Sequence, residues 1–225
     1  MKRRRTFVDR GDAGRQLATA LKGYDGDDVV VLAIPRGGVI LGYEVAQRLN
    51  ARLDILVPRK LRAPKNPELA IGAVTEDDIV QLNARLVAYL NVSRRYIDAE
   101  CALQRAEIRR RTAFYRGDSP FPTLTGRVII IVDDGIATGS TIRAALTSVR
   151  THAPRSMVLA VPVAPQSTIR ELERDADRIV CLMTPEPFFA IGQFYQAFPQ
   201  TSDAEVTRLL RLNLSEQDRH SSVPQ

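Results

Sequence analysis

The stretch that decides the fold is Val128-Ile-Ile-Ile-Val-Asp133-Asp134-Gly135-Ile136-Ala137-Thr138-Gly139-Ser140-Thr141. Five consecutive β-branched residues, 128–132, predict a strand that is buried on both faces. Two adjacent carboxylates end this strand, and small hydroxyl residues around Gly139 then open a helix. Carboxylates at the carboxyl end of a buried strand are unusual unless a ligand binds there. The stretch therefore predicts a parallel α/β sheet with a ligand site at this edge.

Short β-branched runs alternate with helical patterns along most of the chain, which is typical of a parallel α/β sheet. The predicted strands cover residues 28–34, 53–58, 128–132, 157–163 and 178–183. The predicted helices cover residues 37–49, 139–151, 167–174 and 201–212. We therefore predict an α/β fold in which a central, mostly parallel sheet is flanked by helices.

Three segments interrupt this alternation within the single domain that we expect over residues 1–215. Residues 59–78 are rich in Pro, Lys and Arg and predict a long flexible loop. Residues 83–116 are polar and helical in pattern and predict a helical insertion. Residues 184–212 begin with an aromatic, Pro-punctuated stretch and predict a C-terminal hood, and residues 216–225 predict a disordered tail.

The chain has 225 residues and a net charge of +6, but the excess is local. Residues 2–5 and 94–116 each contribute a net charge of +4, and the rest of the chain is slightly acidic. This distribution is poor evidence for a nucleic-acid partner. No apolar run approaches the roughly 20 residues that cross a bilayer. Two cysteines and two histidines cannot supply a Cys/His zinc site or a disulfide framework. We expect a cytoplasmic protein with no membrane partner.

The motif at residues 133–141 combines groups that suit a phosphorylated sugar. Backbone N–H groups at a helix N-terminus bind anions, assisted by the helix dipole. Carboxylates beside such a site can accept hydrogen bonds from sugar hydroxyls. The motif is not a nucleotide-binding Walker A loop, because no lysine follows the glycine, nor is it the G-x-G-x-x-G fingerprint. The alternative is an ordinary strand–turn–helix with an Asp-rich turn.

The same 128–141 segment resembles the phosphoribosyl pyrophosphate (PRPP) binding motif of class I phosphoribosyltransferases. The resemblance implies the fold of that family. It also implies that Asp133 and Asp134 are the catalytic acids, which bind the ribose hydroxyls and stabilise positive charge developing on the ribose. The residues implied to bind the 5′-phosphate are Ala137, Thr138, Gly139, Ser140 and Thr141. The implied cofactor is Mg²⁺, held mainly through PRPP, with Asp133 or Asp134 as its candidate protein ligand.

A second segment, Pro35-Arg36-Gly37-Gly38, follows the predicted strand 28–34 and begins a helix. Arg36 has a fork of donors suited to phosphate oxygens, and Gly37 permits a close backbone approach. Family members bind pyrophosphate with a loop in this position, which implies that role for Arg36 and Gly37. The resemblance extends it to Arg59 and Lys60, at the start of a loop that would close over PRPP. A solvated turn and a solvated basic loop are the alternatives.

The acceptor side of the site is the least defined by the sequence. Phe188, Phe189 and Ile136 are candidate acceptor contacts, with packing of the C-terminal segment as the alternative for the two aromatic residues. The resemblance implies transfer of phosphoribose from PRPP to a nitrogen nucleophile, a nucleobase, with release of pyrophosphate, by a homodimer. The alternative function is a PRPP-sensing regulator that binds nucleic acid, for which the Arg-rich residues 94–116 are the candidate surface.

Overall fold

The structure is a computed structural model that describes residues 6–24, 26, 28–117 and 119–221. Within these residues the strands are β1 (Val29–Ala33), β2 (Arg52–Ile55), β3 (Arg59–Ala63), β4 (Asn66–Val74), β5 (Val80–Leu82), β6 (Val128–Val132), β7 (Ser156–Val163) and β8 (Arg178–Met183). The helices are α1 (Arg10–Ala20), α2 (Gly37–Leu49), α3 (Ala84–Tyr89), α4 (Arg94–Arg116), α5 (Ser140–Thr151), α6 (Gln166–Leu172) and α7 (Asp203–Ser221), with a 3₁₀ turn at Ile191–Phe194. The basic residues 1–5 and the last residues of the predicted tail, 222–225, lie outside the described part.

Parallel strands form the central sheet in the order β2-β1-β6-β7-β8. Every residue of β6 is buried, because helices cover both faces of the sheet. Ile129 and Ile131 pack into the core under α5 and α6, whereas Ile130 and Val132 pack into the core formed with α1, α2 and α7. This two-sided cover explains a strand without polar positions. The predicted α/β fold with a parallel sheet is confirmed.

The direction of the chain across the sheet reverses between β1 and β6. From β1 the chain moves outward to β2 and then returns to β6 on the opposite side of β1. Ala33 pairs with Val132, so β1 and β6 end at the same level. Open parallel sheets bind ligands at the carboxyl ends of the two strands that flank such a switch point. The segments after Ala33 and Val132 therefore lie where a ligand site is expected.

The prediction of a flexible loop over residues 59–78 is wrong, since most of that segment forms antiparallel strands. Strands β3, β4 and β5 form a separate three-stranded sheet. In β3, Leu61 and Ala63 are buried while Lys60 is exposed, which is the alternation of a half-buried strand. The basic residues between the buried positions obscured this alternation in the sequence. The β3–β4 hairpin also packs along α4, where Tyr96 donates from its hydroxyl to the carbonyl of Arg62 at 3.1 Å.

Five of the seven arginines of α4 form ion pairs with acids. Each pair lies within 3.0 Å at its shortest N–O distance; the pairs are Arg94–Asp98, Arg105–Asp78, Arg110–Glu107, Arg111–Glu107 and Arg116–Asp54. Four carboxylates therefore offset part of the positive charge of this helix, two of them in exposed pairs of the kind that contributes little to stability.

The C-terminal helix α7 corrects two predicted boundaries. It continues from Asp203 to Ser221, past the predicted end at 212 and through residues 216–221 of the predicted tail. Polar residues dominate after Leu212, so the sequence pattern looked complete there. Beyond Leu212 the helix still has partners. Asn213, 1% exposed, bonds to the start of the edge strand β2 and the residue before it: its Oδ1 accepts from the Leu53 amide at 2.7 Å, and its Nδ2 donates to the Ala51 carbonyl at 3.1 Å. Nearly one turn later, Glu216 accepts from the side-chain amide of Gln47 on α2.

Replacing Asn213 by alanine should destabilise the domain, because it leaves a buried amide and a carbonyl without partners. An unsatisfied buried group costs about 1–3 kcal/mol, so we expect the free energy of unfolding to fall by about 2 kcal/mol. In a chain of this size that corresponds to a melting temperature lower by roughly 4–8 °C, measurable by circular dichroism. Thr207→Ala, whose hydroxyl bonds only within α7, is the control. Equal melting temperatures for the two variants would contradict the role of Asn213.

Within the described residues, the helices are all too short or too polar to cross a membrane.

Candidate functional site

The loops after β1 and β6 meet at the switch point of the sheet. The amide of Ile34 donates to the carbonyl of Val132 at 2.9 Å, so the two strands stay paired to their ends. Beyond them, a β-carbon added at Gly37 would lie 1.9 Å from Oδ2 of Asp134. Only glycine permits this approach. The structure thus brings Gly37 of the predicted pyrophosphate loop against the predicted ribose-binding acid Asp134.

The two acids, Asp133 and Asp134, are held differently. Oδ1 of Asp133 accepts from the Asp134 amide at 2.8 Å. Oδ2 of Asp134 accepts from Nε of Arg10 at 2.8 Å, and the carbonyl of Asp134 accepts from the Tyr195 hydroxyl at 2.7 Å. Burial and the neighbouring Asp134 carboxylate raise the pKa of Asp133 well above its usual range. Ionisation of Asp133 therefore costs the folded state free energy.

Asp133→Asn should stabilise the protein at neutral pH, with an effect that disappears in acid. A raised pKa in the folded state means that ionised Asp133 lowers the free energy of unfolding, and this loss develops as pH rises from the ordinary carboxylate range. The melting temperature of Asp133→Asn should therefore exceed that of the wild type at pH 7.5, and should exceed it by less at pH 4. Asp98→Asn, which removes an exposed carboxylate, is the control. If the difference in melting temperature between Asp133→Asn and the wild type became smaller as pH rises, the direction of the Asp133 pKa shift would be contradicted.

The turn before α5 presents open backbone donors. Gly139 has φ = +72°, a left-handed conformation that favours glycine, and caps the helix without a side-chain hydrogen bond. The first amides of α5, which begins at Ser140, are therefore free of a capping side chain. Ala137 and Thr138 are exposed, and the hydroxyl of Thr168 donates to the carbonyl of Ala137 at 3.0 Å. This geometry suits the phosphate role predicted for residues 137–141, including Thr141 in the first turn.

Arg36, in the predicted pyrophosphate loop, faces the first residue of α7. Its Nη1 is 3.7 Å from Oδ1 of Asp203, and the Tyr115 hydroxyl donates to the same oxygen. Burial and this bond to Asp203 raise the pKa of Tyr115 to about 12, so the phenol stays protonated at neutral pH. Arg36 is about one-third exposed and pairs only weakly, which leaves it able to turn toward an anion.

The other predicted pyrophosphate ligands, Arg59 and Lys60, are not joined to this cluster. Nε of Arg59 donates to Oε1 of Gln104 at 3.0 Å, and Lys60 is exposed on β3. Burial and the nearby charge of Arg111 lower the pKa of Arg59. In the part of the chain that the structure describes, neither side chain bonds to residues 36–38 or 133–141. Their role in binding pyrophosphate stays a prediction.

The candidate acceptor contacts differ in exposure. Phe189 is 80% exposed, and Phe188 packs on Phe194 with ring centroids 5.1 Å apart. Ile136 is only 3% exposed and packs in the core beneath α5 and α6, so its predicted contact with an acceptor is wrong for this conformation. The amide of Ile136 donates to Val163 at 3.0 Å, which directs this side chain into the core.

Sequence reasoning missed functional candidates that contact the motif from distant segments. They are Arg10 on α1, Thr168 on α6 and the hydroxyl of Tyr195. The helix α1 itself had a signal, since Asp9 caps it by accepting from the Asp12 amide. The contact between Arg10 and Asp134 had none, because 124 positions separate the two residues.

Fold and site together define the class of the protein. It is a doubly wound α/β protein whose switch point joins two acids, a helix N-terminus and an arginine-bearing loop. Such a site suits a sugar that carries phosphate groups.

Comparisons with known proteins agree. Residues 10–196 match the phosphoribosyl transferase domain family. Two proteins of Mycobacterium tuberculosis, "Putative phosphoribosyl transferase MT0597" and "Putative phosphoribosyl transferase Rv0571c", are each 49% identical over 205 residues, covering 91% of this chain and 46% of theirs. The crystal structure of TT1426 from Thermus thermophilus is 40% identical, with a TM-score of 0.79 over 91% of this chain and 97% of that one.

The chain therefore belongs to the phosphoribosyltransferase family, and the resemblance to class I enzymes is confirmed. It spans about half the length of the curated relatives that it matches.

Proposed function

We propose that the protein transfers phosphoribose from PRPP to a nitrogen nucleophile, such as a nucleobase, and releases pyrophosphate. The observation that carries this proposal is the close approach of Gly37 to Asp134 at the switch point. A β-carbon added to Gly37 would lie 1.9 Å from Oδ2 of Asp134. This close approach supports a pyrophosphate loop at Gly37 that works together with ribose-binding acids. The helix α5 begins at Ser140, six residues after Asp134, and no side chain caps its N-terminus. This N-terminus suits the 5′-phosphate.

Residues of this chain would do most of the work by position and charge. Asp133 and Asp134 would hold the ribose hydroxyls and oppose the positive charge that develops on the ribose as pyrophosphate leaves. Arg36 would leave Asp203 and bind pyrophosphate oxygens, for which its planar fork is suited. Phe188 and Phe189 stay candidates for stacking on a planar acceptor.

Mg²⁺ fits this site as an ion shared with the substrate. Within the described residues, no group of three or more His, Cys, Asp and Glu side chains could hold a metal ion. Mg²⁺ commonly uses one or two carboxylates together with substrate phosphates, and Asp133 and Asp134 provide such carboxylates. When bound, the ion would neutralise charge on the pyrophosphate leaving group.

Pyrophosphate release from PRPP and Mg²⁺ tests this function across a panel of nucleobases and small amines. We expect release that depends on one acceptor in the panel and on Mg²⁺. PRPP binding by calorimetry without release for any acceptor would instead favour a regulator that senses PRPP. If the protein neither binds PRPP nor releases pyrophosphate, both the transferase and the regulator are rejected. The homodimer and the cytoplasmic location stay predictions.

Asp203→Asn should strengthen PRPP binding, because Arg36 would no longer have to leave a carboxylate. The pair is half-exposed and worth about 0.2–1 kcal/mol, so we expect the dissociation constant to fall by roughly 1.5- to 5-fold. Calorimetry at constant ionic strength measures the change. Glu205→Gln removes an acid from the same first turn of α7 and is the control. Weaker binding by Asp203→Asn would contradict competition between Asp203 and the ligand.

A further inference from the structure

Arg10 is a buried cation that contacts two parts of the site at once. It is 8% exposed at the start of α1. Its Nε donates to Oδ2 of Asp134 at 2.8 Å, and its Nη1 donates to the carbonyl of Pro199. Its guanidinium carbon lies 3.7 Å from the centroid of the Phe198 ring. One side chain thus joins a predicted ribose acid to the segment that follows the aromatic hood residues.

Burying this charge requires compensation, since an unpaired buried cation is strongly unfavourable. The compensation comes from the carboxylate of Asp134, which pairs with it at 2.8 Å, and from a carbonyl and an aromatic face. Five residues away on the same helix, Arg15 pairs with Glu44 at 3.2 Å while its side chain stays 60% exposed. A surface pair of this kind would be enough to stabilise α1. The buried pair between Arg10 and Asp134 therefore points to a role in the candidate ligand site.

Two contacts hold this acid in place. The hydrogen bond from Arg10 restrains Oδ2 of Asp134, and the Tyr195 hydroxyl donates to the backbone carbonyl of the same residue at 2.7 Å. The Arg10 guanidinium is itself held by the Pro199 carbonyl and the Phe198 ring, so its position is set independently of the carboxylate. Because the Arg10 guanidinium also packs on the Phe198 ring, a movement of Phe198 would move Arg10 and with it the carboxylate of Asp134.

We propose that Arg10 is a positioning residue that orients the carboxylate of Asp134 for the ribose hydroxyls and couples that orientation to residues 198–199. The proposal rests on the proposed function. It predicts that loss of Arg10 weakens ligands that contain ribose and leaves inorganic pyrophosphate, which has no hydroxyls for Asp134, largely unaffected.

Calorimetry with PRPP, ribose 5-phosphate and inorganic pyrophosphate, each with Mg²⁺, tests this prediction. The proteins are the wild type, Arg10→Met, Arg10→Lys and the control Arg15→Met, with melting temperatures recorded for all four. For Arg10→Met we expect both sugar phosphates to bind roughly 10- to 100-fold more weakly, as misplacing a site group by about 1 Å can cost that much. Pyrophosphate should change less than twofold. Arg10→Lys should restore part of the loss, and Arg15→Met should bind as the wild type does.

The outcomes separate this inference from the proposed function. A wild type that binds neither sugar phosphate overturns the proposed function and this inference with it. A wild type that binds them, together with an Arg10→Met variant that binds all three ligands equally well, overturns only the role of Arg10. If Arg10→Met melts at a lower temperature and loses the same affinity for all three ligands, Arg10 has a structural role, and the proposed positioning role is overturned. If Arg10→Met does not fold, Arg10→Lys decides, and unchanged selectivity in that variant rejects the proposal.

Discussion

Replacing both Asp133 and Asp134 by asparagine is expected to abolish PRPP binding in calorimetry. Hydrogen bonds to charged groups contribute about 1.5–3 kcal/mol each, and the double variant converts two carboxylates to neutral amides. The affinity should therefore fall by roughly 10²- to 10⁴-fold, and pyrophosphate release should fall with it. Asparagine has nearly the shape of aspartate, so the loss would report charge rather than packing.

The control for the double variant is the pair Asp28→Asn with Asp98→Asn. Both carboxylates lie in exposed ion pairs with arginines, at 3.1 Å and 2.9 Å, and their removal changes the net charge equally. Because the double site variant leaves Arg10 without its anion, circular dichroism must show that it is folded at the assay temperature. A folded site variant that binds PRPP within threefold of the wild type would reject the assignment of Asp133 and Asp134 to the ribose.

Gly37→Ala should have the second-largest effect, through a steric conflict inside the site. The new β-carbon would lie 1.9 Å from Oδ2 of Asp134 and 2.8 Å from Nε of Arg10. Arg10 holds that carboxylate at 2.8 Å, so the acid cannot simply rotate away. The loop or the acid must move by about 1 Å, and such a displacement can cost about 100-fold in binding and turnover. We expect a loss of that size in PRPP affinity by calorimetry.

The stability cost of Gly37→Ala should be smaller than its functional cost. Overpacking a well-packed position costs about 1–3 kcal/mol, which would lower the melting temperature by several degrees without unfolding the domain. Gly11→Ala is the matched control: it lies on α1, and its β-carbon would meet side-chain ends of Arg15, Asp9 and Glu44, at 3.2 Å, 3.3 Å and 3.6 Å. Equal PRPP affinities for the two variants would show that Gly37 does not approach the ligand site.

The main-sheet strands were predictable because their signal is local. A run such as residues 128–132, apolar at every position, identifies a strand covered on both faces, and the structure places such runs in the central sheet. The hairpin within residues 59–74 was missed for the opposite reason. Its alternating pattern is short and interrupted by Pro64 and basic residues, so the composition resembled a loop although Leu61 and Ala63 point into the core.

The site was predictable to the same extent that its chemistry lies within continuous segments. Asp133, Asp134 and the helix start at Ser140 are neighbours in the chain, and the loop at Arg36 follows a recognisable strand. Ile136 lies in the same segment, yet its side chain points into the core, because the pairing of its amide with Val163 sets its direction. A motif therefore names its residues without saying which of them face the ligand.

By itself the sequence determined the class of sheet, the acids at its edge and the family. The tertiary structure alone decided which cations and hydroxyls reach those acids. Arg10, Thr168 and Tyr195 arrive from three separate segments, and Arg36 meets Asp203 across the domain. The physical reason is that hydrophobic periodicity and turn chemistry act over a few residues, whereas side-chain contacts between distant segments exist only once the shared core has brought those segments together.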